Sequence, residues 1–270
     1  MTIHCQEGDV KRISVTCFLI LTFMASGQIL LSQTAQERIA QGDGYYSQFN
    51  DAMALEEYLA ALQLEPENFE ALWKVSRAMI DVADGMSGTD KATKDKQQKL
   101  YMDAERHARR AVAINAEDSQ SYFLISSAVG KKVLQQGKKE QINASKEVKK
   151  VIEKAIELDP NNDLAYHALG RWHRRMAEIG GVSRFMGGII YGSIPKGSFE
   201  ESETALKKAI EIKPDYGNHH LELGRTYLAL KKTDLAAEEF QKCIDAPILT
   251  SKCEAYRNEA EAELAKLKKG

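Results

Sequence analysis

The chain has 270 residues with 37 Lys and Arg against 39 Asp and Glu, a formal charge of -2, so it is no polycation built for nucleic acid. Five prolines and a 7% aromatic share argue against a sandwich or barrel and for helices, and four cysteines are too few for a disulfide scaffold. The length suffices for one solenoid or two ordinary domains.

Residues 1–27 read as a signal peptide. Lys11 and Arg12 precede an apolar run over 13–25, and Ala25, Ser26 and Gly27 supply small residues for cleavage. The second reading is an uncleaved anchor to about Ser32, because the apolar stretch is ~20 residues, long enough to cross a bilayer once. Both readings export the body of the chain, to a periplasm or outside the cell. Loss of a signal would leave Cys243 and Cys253 as one pair, separated by a turn containing Pro247. They form either a disulfide between adjacent helices or two small core residues.

Residues 35–250 are organised by internal repetition. Leu64-Glu65-Pro66, Ile114-Asn115-Ala116, Leu158-Asp159-Pro160 and Ile212-Lys213-Pro214 each follow an alanine five residues before the last position, at Ala61, Ala111, Ala155 and Ala209. Small residues let two helices pack closely, and Pro ends a helix because it lacks an N–H and clashes with the preceding turn. The pattern resembles the tetratricopeptide repeat (TPR), a helix-turn-helix unit of about 34 residues. Gly42, Tyr45, Ala54, Tyr58, Ala61 and Pro66 fall on its motif in the first unit, and Leu223, Gly224, Tyr227, Ala236 and Phe240 in the fifth. The middle units carry insertions between their two helices, with excesses of 16, 10 and 20 residues. Residues 251–270 read as a polar capping helix over the last unit. The expected fold is an all-α, TPR-like helix-turn-helix solenoid of about five repeats with a C-terminal cap.

Within the fourth unit, Leu169-Gly170-Arg171-Trp172, an insert through Gly192 and Pro195, and Ala205-Leu206 with Ala209-Ile210 before Pro214 form a narrower pattern. Over roughly 118–230 the chain is similar to the regulator of microtubule dynamics family. That resemblance implies a helical-repeat fold and a general binding role. Several eukaryotic members sit on membranes through N-terminal segments, and one branch tethers membranes and binds phospholipid through its repeats. His173-Arg174-Arg175 and a glycine-rich insert depart from the family pattern.

No enzyme, metal or cofactor signature stands out. The six histidines make no HExxH and no zinc spacing, no serine lies in G-x-S-x-G, and the glycines over 187–192 lack the phosphate-cradling order. Asn143-Ala144-Ser145 matches a glycosylation acceptor, of consequence only in a secretory route. In stacked helix pairs the first helices line the concave side, where positions five and nine share a face. Position five reads Ile39, Trp73, Phe123, His167 and Leu221; position nine reads Asp43, Arg77, Ser127, Arg171 and Arg225. An apolar row therefore runs beside arginines, with Arg174 close by, and Arg grips carboxylate or phosphate with a planar fork. The alternative is packing of Trp73 and Phe123 between repeats while the arginines pair with nearby acids.

Two segments outside this row add expectations. Lysines from Lys131 to Lys154 outnumber acids but lack aromatics for stacking bases, so they are a solvated face or meet an acidic partner or anionic membrane. The apolar insert over 179–199 either folds back on its own repeat or, through Phe185, Met186, Ile189, Ile190 and Tyr191, closes a lid on an apolar pocket. The sequence thus describes an exported, non-enzymatic scaffold for a peptide or protein partner with acidic groups. Its candidate ligand-binding residues are Trp73, Arg77, Phe123, His167, Arg171, Arg174 and Arg225. The alternative is a lipid or amphiphile carrier, and neither reading includes nucleic acid.

Overall fold

A computed structural model describes residues 33–180, 187–189 and 193–268. The described residues are all-α, arranged as successive helix pairs. The pairs are α1 (Ala35–Ser47) with α2 (Asp51–Leu64), α3 (Phe69–Gly85) with α4 (Lys91–Ile114), and α5 (Ser119–Lys132) with α6 (Lys138–Leu158). They continue with α7 (Asp163–Ala177) and α8 (Phe199–Ile212), then α9 (Gly217–Ala229) and α10 (Thr233–Asp245), and end in α11 (Cys253–Leu267). In the second and third pairs the extra residues lengthen helices: α4 has 24 residues and α6 has 21. In the fourth pair the extra residues separate α7 from α8.

Local chemistry sets these boundaries. Thr34 and Glu37 form a reciprocal capping box at the start of α1. In the turns after α2, α4 and α6, Asn68, Asp118 and Asn162 accept a hydrogen bond from the backbone N–H three residues on. Each such cap is worth about 1 kcal/mol. The turn after α8 breaks the rule, because Tyr216 occupies the cap without a side-chain hydrogen bond and buries its ring instead.

Within three pairs the helices touch at a glycine. A Cβ on Gly42 would lie 2.4 Å from the Tyr58 ring, one on Gly170 2.5 Å from Leu206, and one on Gly224 2.5 Å from the Phe240 ring. Ser76 and Ser126 hold the same repeat position in the second and third pairs and are buried.

Two apolar clusters result. One holds Ile39, Tyr58, Leu72, Val75, Leu124 and Val129 from α1 through α5; the other holds Leu206, Leu221, Leu223, Tyr227 and Phe240 from α8 through α10. Ala260 of α11 is buried in the second cluster, with Leu264 and Leu267 packed against it. Between the clusters runs a buried polar seam. Asn162 Nδ2 donates to Ser119 Oγ at 2.7 Å and Ser119 Oγ donates to the Ala155 carbonyl at 2.8 Å; beside the second cluster, Ser202 of α8 and Thr226 of α9 share a hydrogen bond of 2.9 Å.

The C-terminal end returns to the first repeats. Ser251 Oγ donates to Asp51, and Lys252 Nζ lies 2.7 Å from Asp81 and 3.3 Å from Asp84. Lys131 Nζ reaches Asp84 at 2.7 Å from α5. Lys252 is partly buried, and the carboxylates of Asp81 and Asp84 outweigh the cost of that burial to hold its pKa well above the ordinary lysine value.

The tight glycine contacts give a first prediction. Gly224→Ala forces the Phe240 ring aside and lowers stability in urea by about 1–3 kcal/mol. Gly44→Ala, where nothing lies within 4 Å of the added carbon, raises it by roughly 0.5–1 kcal/mol through helix propensity.

Candidate functional site

The concave row predicted from positions five and nine divides into two parts. In the second pair, the Arg77 guanidinium lies 3.7 Å from the centroid of the Tyr46 ring and 5.0 Å from that of Trp73. Arg77 is thus engaged on aromatic faces, and Lys74 neutralises Asp43 at 2.6 Å. Neither Trp73 nor Arg77 lines the cavity described next.

Phe123, His167 and Arg171 do come together there. A cavity of about 250 Å³ lies among α5, α6, α7, the start of α9 and the cap. Its apolar wall includes Val133, Leu134, Val148, Ile152, Leu164 and Trp172. Trp172 is fixed by donation from Nε1 to the Ser145 carbonyl at 2.8 Å, which ties α7 to α6. Tyr216, Lys252 and Tyr256 complete the far wall, with the rings of Tyr216 and Tyr256 edge to face at 6.3 Å.

Beside this cavity, sharing Gln141, Arg171, Arg175 and Met176 with it, is a basic opening of about 460 Å³. Among the described residues, Lys138, Arg171, Arg174, Arg175 and Arg225 line it with two carboxylates, Glu178 and Glu222. Glu222 is 2% exposed, and three guanidinium groups converge on it. Arg174 Nη2 is at 2.5 Å, Arg225 Nη1 at 3.0 Å and Arg171 Nε at 3.5 Å. Burial alone would raise the Glu222 pKa; Arg171 and Arg174 reverse that and hold the carboxyl well below the usual carboxylate range. Arg174 also pairs with Glu178 at 2.7 Å and Arg225 with Glu259 at 2.6 Å. Arg175 is exposed and has no hydrogen-bonded acid among the described residues.

A histidine chain runs into the cavity wall. Asp163 Oδ2 is 3.0 Å from His219 Nε2, and His219 Nδ1 is 3.0 Å from His167 Nδ1. Both imidazoles are buried, which pushes their pKa values down; the second cause is the neighbouring His219 for His167, whereas Asp163 opposes the shift for His219.

Sequence reasoning missed Glu222, His219, Asp163, Tyr216, Lys252 and Tyr256. Only Tyr216 had a local signal, as the one inter-repeat turn whose cap is neither Asn nor Asp. The lysine-rich segment is partly engaged in ion pairs, Lys131 with Asp84 and Lys132 with Glu105, while Lys138 reaches the opening. Of the expected lid, Ile189 is 69% exposed, and Phe185, Met186, Ile190 and Tyr191 lie outside the described residues, as does the N-terminal segment 1–32. Of the two readings of the cysteines, the disulfide is not formed: Cys243 and Cys253 are free, buried thiols. Cys253 Sγ accepts from the Leu249 N–H at 3.4 Å, whereas Cys243 Sγ faces the Tyr256 carbonyl at 3.6 Å. Burial pushes the Cys243 thiol up to about 11. Among the described residues no group of three His, Cys, Asp or Glu could hold a metal.

The family model described as regulator of microtubule dynamics protein 1-3 matches residues 38–268. The chain belongs to the regulator of microtubule dynamics family. It is 30% identical over 197 residues to regulator of microtubule dynamics protein 1 of Bos taurus, covering 73% of this chain and 61% of that protein. The Mus musculus protein of the same name is 29% identical, covering 83% of this chain and 72% of its own length. The Caenorhabditis elegans protein is 23% identical, covering 85% and 99%. The chain thus spans about three fifths of the bovine relative. A thermophilic TPR protein of Thermus thermophilus matches in fold with a TM-score of 0.64 at 17% identity, over 86% of this chain and all of that one. These matches establish a TPR-like helical-repeat fold.

Family membership overturns the expectation of an exported, periplasmic or secreted protein. The relatives are named as regulators of microtubule dynamics, and microtubules are polymers of the cell interior. Among the described residues no helix is long and apolar enough to cross a membrane.

The buried carboxylate provides a second prediction. Glu222→Gln leaves three guanidinium groups around an uncharged amide and costs about 3–5 kcal/mol at neutral pH. Because the folded-state pKa of Glu222 is depressed, its stabilisation is fully present above the unfolded value near 4.5 and falls away as pH drops below it. Chemical unfolding between pH 7 and pH 3 should therefore show the wild type losing its advantage over the variant on the acid side. A constant difference across that range would contradict this assignment.

Proposed function

We propose that the chain is a non-enzymatic helical-repeat scaffold that binds an acidic segment of a protein partner at the basic opening, with an apolar side chain of that segment entering the cavity. The observation that carries this reading is the gathering of Lys138, Arg171, Arg174, Arg175 and Arg225 around one opening with two carboxylates among the described residues. Arg171 and Arg175 line both spaces, so a bound segment can set a carboxylate against a guanidinium and an apolar group against Val148, Leu164 and Trp172. Kinship with named regulators of microtubule dynamics supports a partner from the microtubule system.

Fluorescence anisotropy with a labelled glutamate-rich peptide tests the proposal. Arg171→Ala with Arg175→Ala should weaken binding by about 1.5–3 kcal/mol for each charged hydrogen bond lost. Raising salt from about 0.05 to about 0.3 M should weaken it further, because exposed charges are screened beyond the shortened Debye length. Binding indifferent to both changes would reject the site.

A second reading is favoured by the apolar wall that runs into the same opening: an anionic amphiphile, its chain in the cavity and its headgroup on the arginines. Native mass spectrometry of gently purified protein should then show a co-purifying anionic lipid that is lost in the Arg171→Ala, Arg175→Ala variant. Clean protein under those conditions would remove this reading.

A further inference from the structure

The histidine chain fixes more than packing. A carboxylate only accepts hydrogen bonds, so His219 Nε2, 3.0 Å from Asp163, carries the proton of a neutral imidazole. His219 Nδ1 is then a bare acceptor, and the hydrogen bond of 3.0 Å from His167 must place the His167 proton on Nδ1. His167 Nε2 consequently has a lone pair and no proton. It makes no hydrogen bond with the described residues, and His167 lines the cavity. Burial of His219, which disfavours its charged form, keeps the chain in this neutral state.

The position of this acceptor relative to the arginines is set by α7. His167, Arg171 and Arg175 follow one another at intervals of four residues on one helix face, about 6 Å apart along the axis per step. The buried acceptor lies deepest, Arg171 is 36% exposed, and Arg175 stands at the opening. A bound group therefore meets, from inside outward, an acceptor, apolar walls and two guanidinium groups. Serine and threonine are too short to carry an apolar body past the walls, and tryptophan has its N–H on the flank of the ring system. Tyrosine has a flat apolar ring with an O–H donor at its far end.

We infer that the acidic segment bound by this scaffold carries a tyrosine, whose ring fills the cavity and whose hydroxyl donates to His167 Nε2 while flanking carboxylates meet Arg171 and Arg175. This inference rests on the acidic-segment reading of the opening and adds the side chain that the cavity selects. His167 is then a specificity-determining residue, and Asp163 and His219 are positioning residues that hold its tautomer.

The test compares the acetylated peptides Glu-Glu-Tyr-Glu-Glu and Glu-Glu-Phe-Glu-Glu on the full chain by isothermal titration calorimetry. The tyrosine peptide should bind about five- to tenfold more tightly, as expected for one hydrogen bond to a buried acceptor. In His167→Phe the two peptides should bind alike. Tautomers read from two-bond proton–nitrogen correlations in the unliganded wild type provide an arm that needs no variant. They should show His167 protonated on Nδ1 and His219 on Nε2. Equal binding of the two peptides by wild type, or a proton on His167 Nε2, overturns the inference and leaves the acidic-segment reading standing. Failure of both peptides to bind overturns both.

Discussion

A carboxylate removed from water must be answered by positive charge, and Glu222 in the middle of α9 imposes that requirement on its surroundings. Its answer comes from two helices, Arg171 and Arg174 on α7 and Arg225 on α9 itself. Burying such a cluster brings little net stability over a well-packed apolar one, but leaving any member out is costly. The arrangement therefore acts as a register device. It fixes how the fourth and fifth repeats face each other and holds guanidinium groups at one opening that would otherwise spread over the solvent. The proposed binding site is a consequence of satisfying that one buried charge.

The same logic explains why the interior has two apolar clusters with a polar seam between them. The seam contains groups that need specific partners: Ser119 with Asn162, and the Asp163–His219–His167 chain. Polar networks of this kind tolerate fewer alternative arrangements than apolar packing does. From near the C-terminus, Lys252 reaches Asp81 and Asp84. That ion pair ties the C-terminal segment to α3, and Asp84, Lys252 and Tyr256 line the cavity together.

The repeats were legible in the sequence because their determinants are local. Glycine at Gly42, Gly170 and Gly224 answers a ring or leucine on the partner helix, and alanine and proline recur at fixed offsets. The candidate site was only half legible. Phe123, His167 and Arg171 line one cavity, whereas Arg77 of the same row lies over the rings of Tyr46 and Trp73 instead. That outcome depends on a neighbour from α1 that repeat position alone does not specify. Glu222, His219 and Lys252 escaped because their importance is non-local. A glutamate or lysine in a helix reads as solvated until the fold shows what surrounds it, and Lys252 finds its partners roughly 170 residues away. The disulfide was one of two readings of Cys243 and Cys253, and it depended on the expectation of export.

The central proposal is that the cavity and its basic opening, and not the exposed helical surface elsewhere, are where a partner segment inserts. Photocrosslinking tests it most directly, using a glutamate-rich peptide with benzoylphenylalanine at its centre and mapping the adducts by mass spectrometry. The account predicts adducts on the cavity wall, at Phe123, Val148 and Met176, with little elsewhere. Adducts concentrated on exposed apolar residues of the outer surface, such as Leu64, Ile114 and Leu235, would contradict it.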